Sequence, residues 1–319
     1  MPYVPPKPPN RARRAVIGAL AAAPAAGLLA AAPPGAAQPV APTPGLVLDV
    51  PFAPTSFTVI DTMLRVANVV PQDYVVDLGS GDGRIGIAAA RDWGASGFGV
   101  ELDPALLRDS NEFAAAAGVA DRMRFFQQDL FTADLSKATV VTLYLGQKVN
   151  LRVRPKLLAE LRPGARIVSH DFDLGDWRPD LTIRIREYGS TVHFWWVPAR
   201  IAGLWHTQWK LPGGVTRDYR FDLRQNYQEI AAAVRTDGVK VALRDVRLAG
   251  ERLTFLLMEE QDRMFTFRRC RARVRGDVIE GSLRNETAGE RAETPFRMVR
   301  TQLAEAGPPG AWTFPTATR

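Results

Sequence analysis

Hydrophobic positions along this chain follow two rhythms that change over near residue 200. Before that point, stretches with three- and four-residue spacing alternate with short continuous apolar runs. Val59, Ile60, Met63, Leu64 and Ala67 have the first spacing, so a helix with one buried face is predicted there, capped by Thr55 or Ser56. A short apolar run at Val75-Val76 is followed by a helix-like segment, 84–92. The run 97–101 leads into Asp103-Pro104, a cap and first-turn pair that predicts a helix to about Ala117. Strands are predicted at 124–128, 139–145 and 166–169, with a helix over 151–161 ended by Arg162-Pro163-Gly164. The run 139–145 is apolar or β-branched throughout, as a strand covered on both faces must be. Residues 181–188 and 191–197 alternate around Gly189-Ser190 and predict a β-hairpin with a two-residue turn. Strands alternating with helices predict an α/β fold: a doubly wound sheet of five parallel strands, closed by an antiparallel pair.

After Gly203 the helical period vanishes. Turn signals at Gly213-Gly214, Asp237-Gly238, Ala249-Gly250, Gly276-Asp277 and Ala288-Gly289 separate alternating segments, seven or eight strands in all. That spacing predicts a C-terminal antiparallel β-barrel or sandwich over 203–301, with a rhythm similar to small barrels of lipocalin type. Arg269, Arg271, Arg273 and Arg275 share one parity and therefore one face of a strand, which is either a solvated outer face or a surface for an anionic partner.

Composition sets the limits. A chain of 319 residues with 46% hydrophobic content holds about two domains with ordinary cores. The net charge of +7 is uneven: residues 51–198 carry 16 basic and 18 acidic side chains, and the excess base lies in the flanks. A slightly acidic first domain lacks the clustered basic footprint of a nucleic-acid enzyme, so no nucleic-acid partner is expected. The single Cys270 excludes an intrachain disulfide, and three histidines without a Cys/His cluster predict no metal site. Residues 1–37 combine Arg13-Arg14, an Ala-rich apolar run and small residues near Ala37, the pattern of a twin-arginine-like signal leader; a disordered leader is the alternative. The expectation is export, or membrane association through the leader, with a cytoplasmic protein as the other possibility. Residues 38–50 form a Pro-rich linker and 302–319 a disordered tail.

The chemistry centres on 74–86, where a strand ends at Asp77 and Gly79, Gly81 and Gly83 follow at alternate positions before a helix. Such a loop lets a ligand approach the backbone with no Cβ in the way. Gly81, Gly83 and Gly86 also satisfy a dinucleotide fingerprint with Glu101 about twenty residues on, which keeps a nicotinamide-dependent oxidoreductase open. Asp77 and Asp82 would repel a pyrophosphate, whereas an acid suits a ligand with an ammonium and a sulfonium. The D-x-G-x-G-x-G spelling resembles motif I of the class I S-adenosylmethionine (SAM) methyltransferases, and PFAPTS followed by DLGSGDGRI resembles the group containing the mitochondrial protein lysine N-methyltransferases.

That resemblance covers 51–199 and implies a Rossmann-like seven-strand sheet. By the family pattern Asp77, Gly79, Ser80, Gly81 and Gly83 would hold the amino-acid end of SAM, Glu101 the ribose hydroxyls, and Asp129 with Leu130 would lie near the adenine. Tyr144, His170 and Asp171, at the ends of neighbouring strands, are candidates for the acceptor side. The fourth strand lacks an Asn/Asp-Pro-Pro-Tyr sequence, which disfavours a base or glutamine amide as acceptor. Protein lysine is the expected acceptor, with a small molecule as the close alternative; an exported, non-catalytic binding protein is the third reading. The β-domain is expected to touch the cofactor site without completing it.

Overall fold

Successive residues of a strand point to opposite faces, and here both faces are covered. In the computed structural model, which describes residues 49–210, 214–261, 263–287 and 293–303, five parallel strands run through the first half: β1 (Tyr74–Leu78), β2 (Ser96–Glu101), β3 (Met123–Gln127), β4 (Val140–Leu143) and β5 (Arg166–His170). β7 (Ser190–Trp196) runs antiparallel to β5, and β6 (Leu181–Ile185) antiparallel to β7, giving the order β3-β2-β1-β4-β5-β7-β6. Val75, Val140 and Val168 pack towards α1 (Phe57–Val66), α2 (Arg84–Trp93) and α3 (Pro104–Ala116). Val76, Val141 and Ile167 pack on the opposite side with Val153 and Leu157 of α4 (Gln147–Glu160). The five-plus-two sheet expected from the apolar runs is the sheet that forms. Its strand order reverses between β1 and β4, so the loops leaving these two strands diverge and open a crevice at their carboxyl ends.

Local signals fix most ends. Ser56 caps α1, its Oγ accepting from Val59 N at 3.4 Å, and Asp103 caps α3, its Oδ1 accepting from Ala105 N at 2.8 Å. Three boundaries differ from expectation. β4 stops at Leu143, so Tyr144 and Leu145 leave the sheet and turn into the crevice. α4 begins at Gln147; its first turn carries Asn150, which is buried and donates to Ser169 Oγ (3.1 Å) and Phe172 O (2.9 Å), a polar anchor that apolar periodicity cannot register. The hairpin does not turn at Gly189-Ser190. A single 3-10 turn over Arg186–Tyr188 makes the reversal, Gly189 follows at φ 61°, and Ser190 is already in β7.

The second half is an eight-stranded antiparallel meander: β8 (Gly203–Lys210), β9 (Thr216–Asn226), β10 (Glu229–Arg235), β11 (Lys240–Ala249), β12 (Arg252–Gln261), β13 (Met264–Arg275), β14 (Val278–Asn285) and β15 (Glu293–Leu303). β15 pairs back onto β8, so the sheet curls into a nearly closed barrel whose two edges are β10 and β11. Trp205, Trp209, Tyr219, Phe221, Phe255 and Leu257 fill its interior. Near Trp209 the filling turns polar: Glu259 accepts from Arg217 Nη1 and Arg268 Nε, both at 2.8 Å, and from the Tyr219 hydroxyl.

Among the described residues both sheets belong to one compact unit. Tyr227, in the β9–β10 turn, stacks on Trp177 at 5.5 Å between ring centroids, and Trp177 Nε1 donates to Gln228 Oε1 at 2.9 Å. Arg252 lies 4.9 Å over the Trp196 ring. The leader expected over 1–37, most of the linker and all but the first residues of the tail fall outside the described residues.

Candidate functional site

The crevice is floored by the turn between β1 and α2. Gly79 (φ 70°) and Gly81 (φ 56°) adopt left-handed backbone that side chains disfavour, and a Cβ on either would collide with a neighbour, Leu145 Cδ2 at 2.3 Å or Phe52 Cε2 at 2.5 Å. Gly83 serves packing instead. A Cβ there would strike Phe125 at 2.6 Å and Ser110 at 2.9 Å, so its absence lets α2 settle against β3 and α3.

A strap of residues 49–55 forms the roof. Phe52 lies over Gly81, the Thr55 carbonyl accepts from Arg84 Nη1 at 3.1 Å, and Thr55 Oγ1 is 3.1 Å from His170 Nδ1. Arg84 is itself fixed by Asp82, with Nε to Oδ1 at 2.9 Å. At the outer end Asp49 pairs with Arg152 at 2.8 Å, and the Arg152 guanidinium sits 4.4 Å over the Phe131 ring.

Gly79, Ser80, Gly81, Glu101, Asp129, Leu130 and Tyr144 all line this one crevice. Glu101 ends β2, where its Oε2 accepts from Gly81 N (2.9 Å) and its Oε1 from Leu102 N (2.7 Å) and Asp103 N (3.0 Å). Its carboxylate is thereby locked beside the glycine loop. Asp129 follows β3 and accepts from Phe131 N at 2.9 Å, which shapes the 128–131 wall.

Asp77 is placed differently from the expectation that it lines the ligand. It is 1% exposed and sits beneath the loop on the same sheet face as its β4 partner Thr142, whose hydroxyl donates to Asp77 Oδ1 at 2.6 Å. Asp77 Oδ2 has no hydrogen-bond partner within 3.5 Å among the described residues. Burial pushes this carboxyl up to about 7 from 3.8; Asp82 and Glu101 push the same way, while the Thr142 hydroxyl and the Gly86 backbone pull it down.

Behind Tyr144 stands His170, 4% exposed and outside the crevice wall, with the two rings stacked at 3.9 Å. Its second ring nitrogen lies 3.1 Å from Ser190 Oγ. Burial lowers the His170 pKa below 6.5 against the opposing pull of Asp171, so the ring is neutral at pH 7. Burial also raises the Tyr144 phenol, which stays protonated. Asp171 does not reach the crevice. It takes a strained φ of 60°, accepts from Thr191 N at 2.7 Å, and lies 3.3 Å from His170 Nε2.

Residues not singled out from sequence therefore complete the site: Phe52, Thr55, Arg84, Thr142, Phe131 and Arg152. The signal for Phe52 and Thr55 was present in PFAPTS, and Asp82-Arg84 lies inside the glycine motif. Thr142 and Arg152 become visible only once strand register and helix position are known.

Two orphaned groups test whether this crevice suits SAM. Ser80 Oγ lines it, is 7% exposed as a residue and has no hydrogen-bond partner among the described residues; Asp77 Oδ2, beneath the loop rather than on the crevice wall, likewise has none among them. A donor set rich in carboxylates, with Asp82 already neutralised by Arg84, fits the ammonium, sulfonium and diol of SAM and opposes a pyrophosphate. A 3-2-1-4-5-7-6 sheet with this loop after its first strand defines a class I SAM-dependent methyltransferase.

Comparison with known proteins agrees. A family model described as the ANTKMT methyltransferase domain matches residues 77–181. A protein-lysine N-methyltransferase of Saccharolobus islandicus is 40% identical over 145 residues, 45% of this chain and 89% of that protein. The adenine nucleotide translocase lysine N-methyltransferase of Mus musculus is 35% identical over 134 residues, with the match spanning 42% of this chain and 58% of the mouse protein. Among solved structures, one described as an RNA methyltransferase from Salinibacter ruber with S-adenosyl-L-homocysteine is 52% identical over 47% of this chain and 96% of that one, with a TM-score of 0.45. The chain belongs to the same family of SAM-dependent methyltransferases as the Saccharolobus protein.

Proposed function

We propose that the protein transfers a methyl group from SAM to the side-chain amine of a protein lysine, in the crevice between the glycine loop and the 49–55 strap. The carrying observation is Tyr144: the residue after β4 turns into the cofactor crevice and is backed by the buried ring of His170. Relatives described as lysine methyltransferases support the acceptor class.

When bound, SAM supplies an electrophilic methyl on a cationic sulfonium. The chain's own part is binding and alignment, and orientation alone can be worth roughly 7 to 11 kcal/mol. Ser80, the loop backbone and the Asp77 field would hold the amino-acid end, Glu101 the ribose hydroxyls, and Asp129 with Leu130 the base. The Tyr144 face offers a wall along which an aliphatic lysine chain can lie. A lysine must shed its proton before attack, at a cost of roughly 4 to 5 kcal/mol at pH 7. With His170 neutral, desolvation is what this wall contributes: an uncharged, poorly hydrated surface disfavours the ammonium form and so favours the neutral amine. His170 also joins the strap to β7 through Thr55 and Ser190, so Tyr144 is held from behind.

Steady-state methylation of extract proteins with labelled SAM, followed by amino-acid hydrolysis, tests the reading. Methyl-lysine should form, and Tyr144→Ala should raise KM for the protein acceptor far more than it weakens SAM. Label recovered only in RNA or small molecules would overturn the acceptor.

A further inference from the structure

The first turn of α1 holds two neighbouring aromatic rings in solvent. Val59, Ile60, Met63 and Leu64 turn inward, so Phe57, Thr58 and Asp61 form the outer face of the helix. Phe57 is 66% exposed, with the Arg84 guanidinium 5.9 Å from its ring centroid. Beside it Thr58 Oγ1 donates to the Tyr188 hydroxyl at 3.3 Å, and Tyr188, in the turn between β6 and β7, is 45% exposed. Neither ring joins a core cluster among the described residues. Nor does the helix need an aromatic there: Ser56 supplies the cap, and aromatic side chains lose rotamer freedom in a helix.

These rings are the solvent end of a network whose buried end backs Tyr144. His170, stacked 3.9 Å behind Tyr144, lies 3.1 Å from Thr55 Oγ1 through one ring nitrogen and 3.1 Å from Ser190 Oγ through the other. Thr55 comes two residues before Phe57 and Ser190 two after Tyr188, and the Thr58–Tyr188 bond closes the circuit. Laid end to end, these links hold the Phe57 backbone within about 18 Å of the Tyr144 ring, a span that an extended peptide covers in about five residues.

We propose, on the protein-lysine reading of the Tyr144 crevice, that Phe57 and Tyr188 dock the acceptor protein by receiving a large apolar side chain that lies within about five residues of the target lysine. A protein partner of ordinary size covers about 800 Å² on each side, a patch roughly 32 Å across and wide enough to take in both the crevice and this rim. Aromatic rings near the centre of such a patch supply much of its binding energy once water is excluded. A small-molecule acceptor held against Tyr144 would leave both rings uncovered. The rim therefore sets which proteins are methylated, while Tyr144 receives the lysine itself.

Methylation of extract proteins by the full chain with labelled SAM, run over a range of extract concentrations, tests this. Phe57→Ser with Tyr188→Ser should raise the apparent KM for protein acceptors at least tenfold and leave kcat within twofold of wild type. SAM affinity and melting temperature should be unchanged, showing that the double variant folds and loads its cofactor. Phe57→Leu with Tyr188→Phe keeps the apolar surface and should keep the wild-type KM. Thiol labelling of Asp61→Cys, one turn along the same face, should be fast at low and high protein concentration; Cys270 is buried and its thiol pKa raised, so it does not compete for label. A wild-type KM in the double serine variant, or a loss confined to kcat or shared with SAM affinity, would overturn the proposal. So would slow labelling at every concentration, which would put the chain's own N-terminal segment on the rim, or labelling that slows as concentration rises, which would put a second copy there. Wild type that forms no methyl-lysine at all would overturn the lysine reading, and this docking site with it.

Discussion

Asp77 offers the sharpest quantitative prediction. Burial beneath the glycine loop pushes its carboxyl up from 3.8 to about 7 in the folded, ligand-free protein, with Asp82 and Glu101 acting in the same direction. A folded pKa above the unfolded value means that the folded chain holds the extra proton between those limits. Stability is therefore highest below about pH 4 as far as this group is concerned, and it falls as pH rises until about 7. At about 1.4 kcal/mol per pH unit, the loss between pH 5 and pH 8 is roughly 3 kcal/mol. Asp77→Asn removes the titration but leaves an amide in the same dry place, a constant term of about 1 to 3 kcal/mol. That constant cancels when two pH values are compared.

Urea denaturation of wild type and Asp77→Asn at pH 5 and pH 8 should thus show the difference between them moving by roughly 3 kcal/mol in favour of the asparagine. The same group governs ligand binding, because a cationic ligand end prefers the carboxylate. Going from pH 8 to pH 6, SAM affinity should weaken about tenfold in wild type and stay nearly flat in the variant. At pH 7, binding should release roughly half a proton, read by calorimetry in two buffers of different ionisation enthalpy. A stability difference that does not move with pH, together with SAM binding that releases no proton, would refute the placement of a protonated Asp77 under the loop.

Four further outcomes follow from named contacts. Glu101→Ala should weaken SAM at least tenfold, about 1.4 kcal/mol by titration calorimetry, since the carboxylate lines the crevice and its removal also frees Gly81 N. Gly81→Ala places a methyl against Phe52 at a left-handed φ; it should lower stability by about 1 to 2 kcal/mol in a thermal melt and weaken SAM as the strap lifts. Tyr227→Ala, which uncovers Trp177, should cost roughly 3 kcal/mol in denaturant. Truncation after Ala199 removes the same cover, so the shortened chain should melt lower even where it still binds SAM.

Much of this architecture is legible in the sequence because the interior is written in short-range patterns. Continuous runs such as Val75-Val76 and Val140-Val141 announce strands buried on both faces, and the alternate glycines announce a ligand loop. What escapes is information carried by register and by polar contacts across the sheet. Asp77 and Thr142 are 65 residues apart and become a pair only when β1 and β4 align. Asn150 starts α4 through hydrogen bonds rather than apolar spacing, so the helix is read too short. His170 can be placed at the end of its strand from sequence, yet its position behind Tyr144, out of the crevice, depends on the turn that β4 makes after Leu143. The welding of barrel to methyltransferase sheet by Tyr227 and Trp177 is likewise invisible, because each residue reads as ordinary core for its own half.

We propose that this crevice delivers methyl groups to protein lysine. The most direct test is peptide mass spectrometry of extract proteins incubated with heavy-methyl SAM and either wild type or Glu101→Ala. Heavy methyl on lysine ε-nitrogen, present with wild type and strongly reduced with the variant, is the predicted result. Heavy methyl confined to RNA or to small molecules, with no lysine modified, would contradict it.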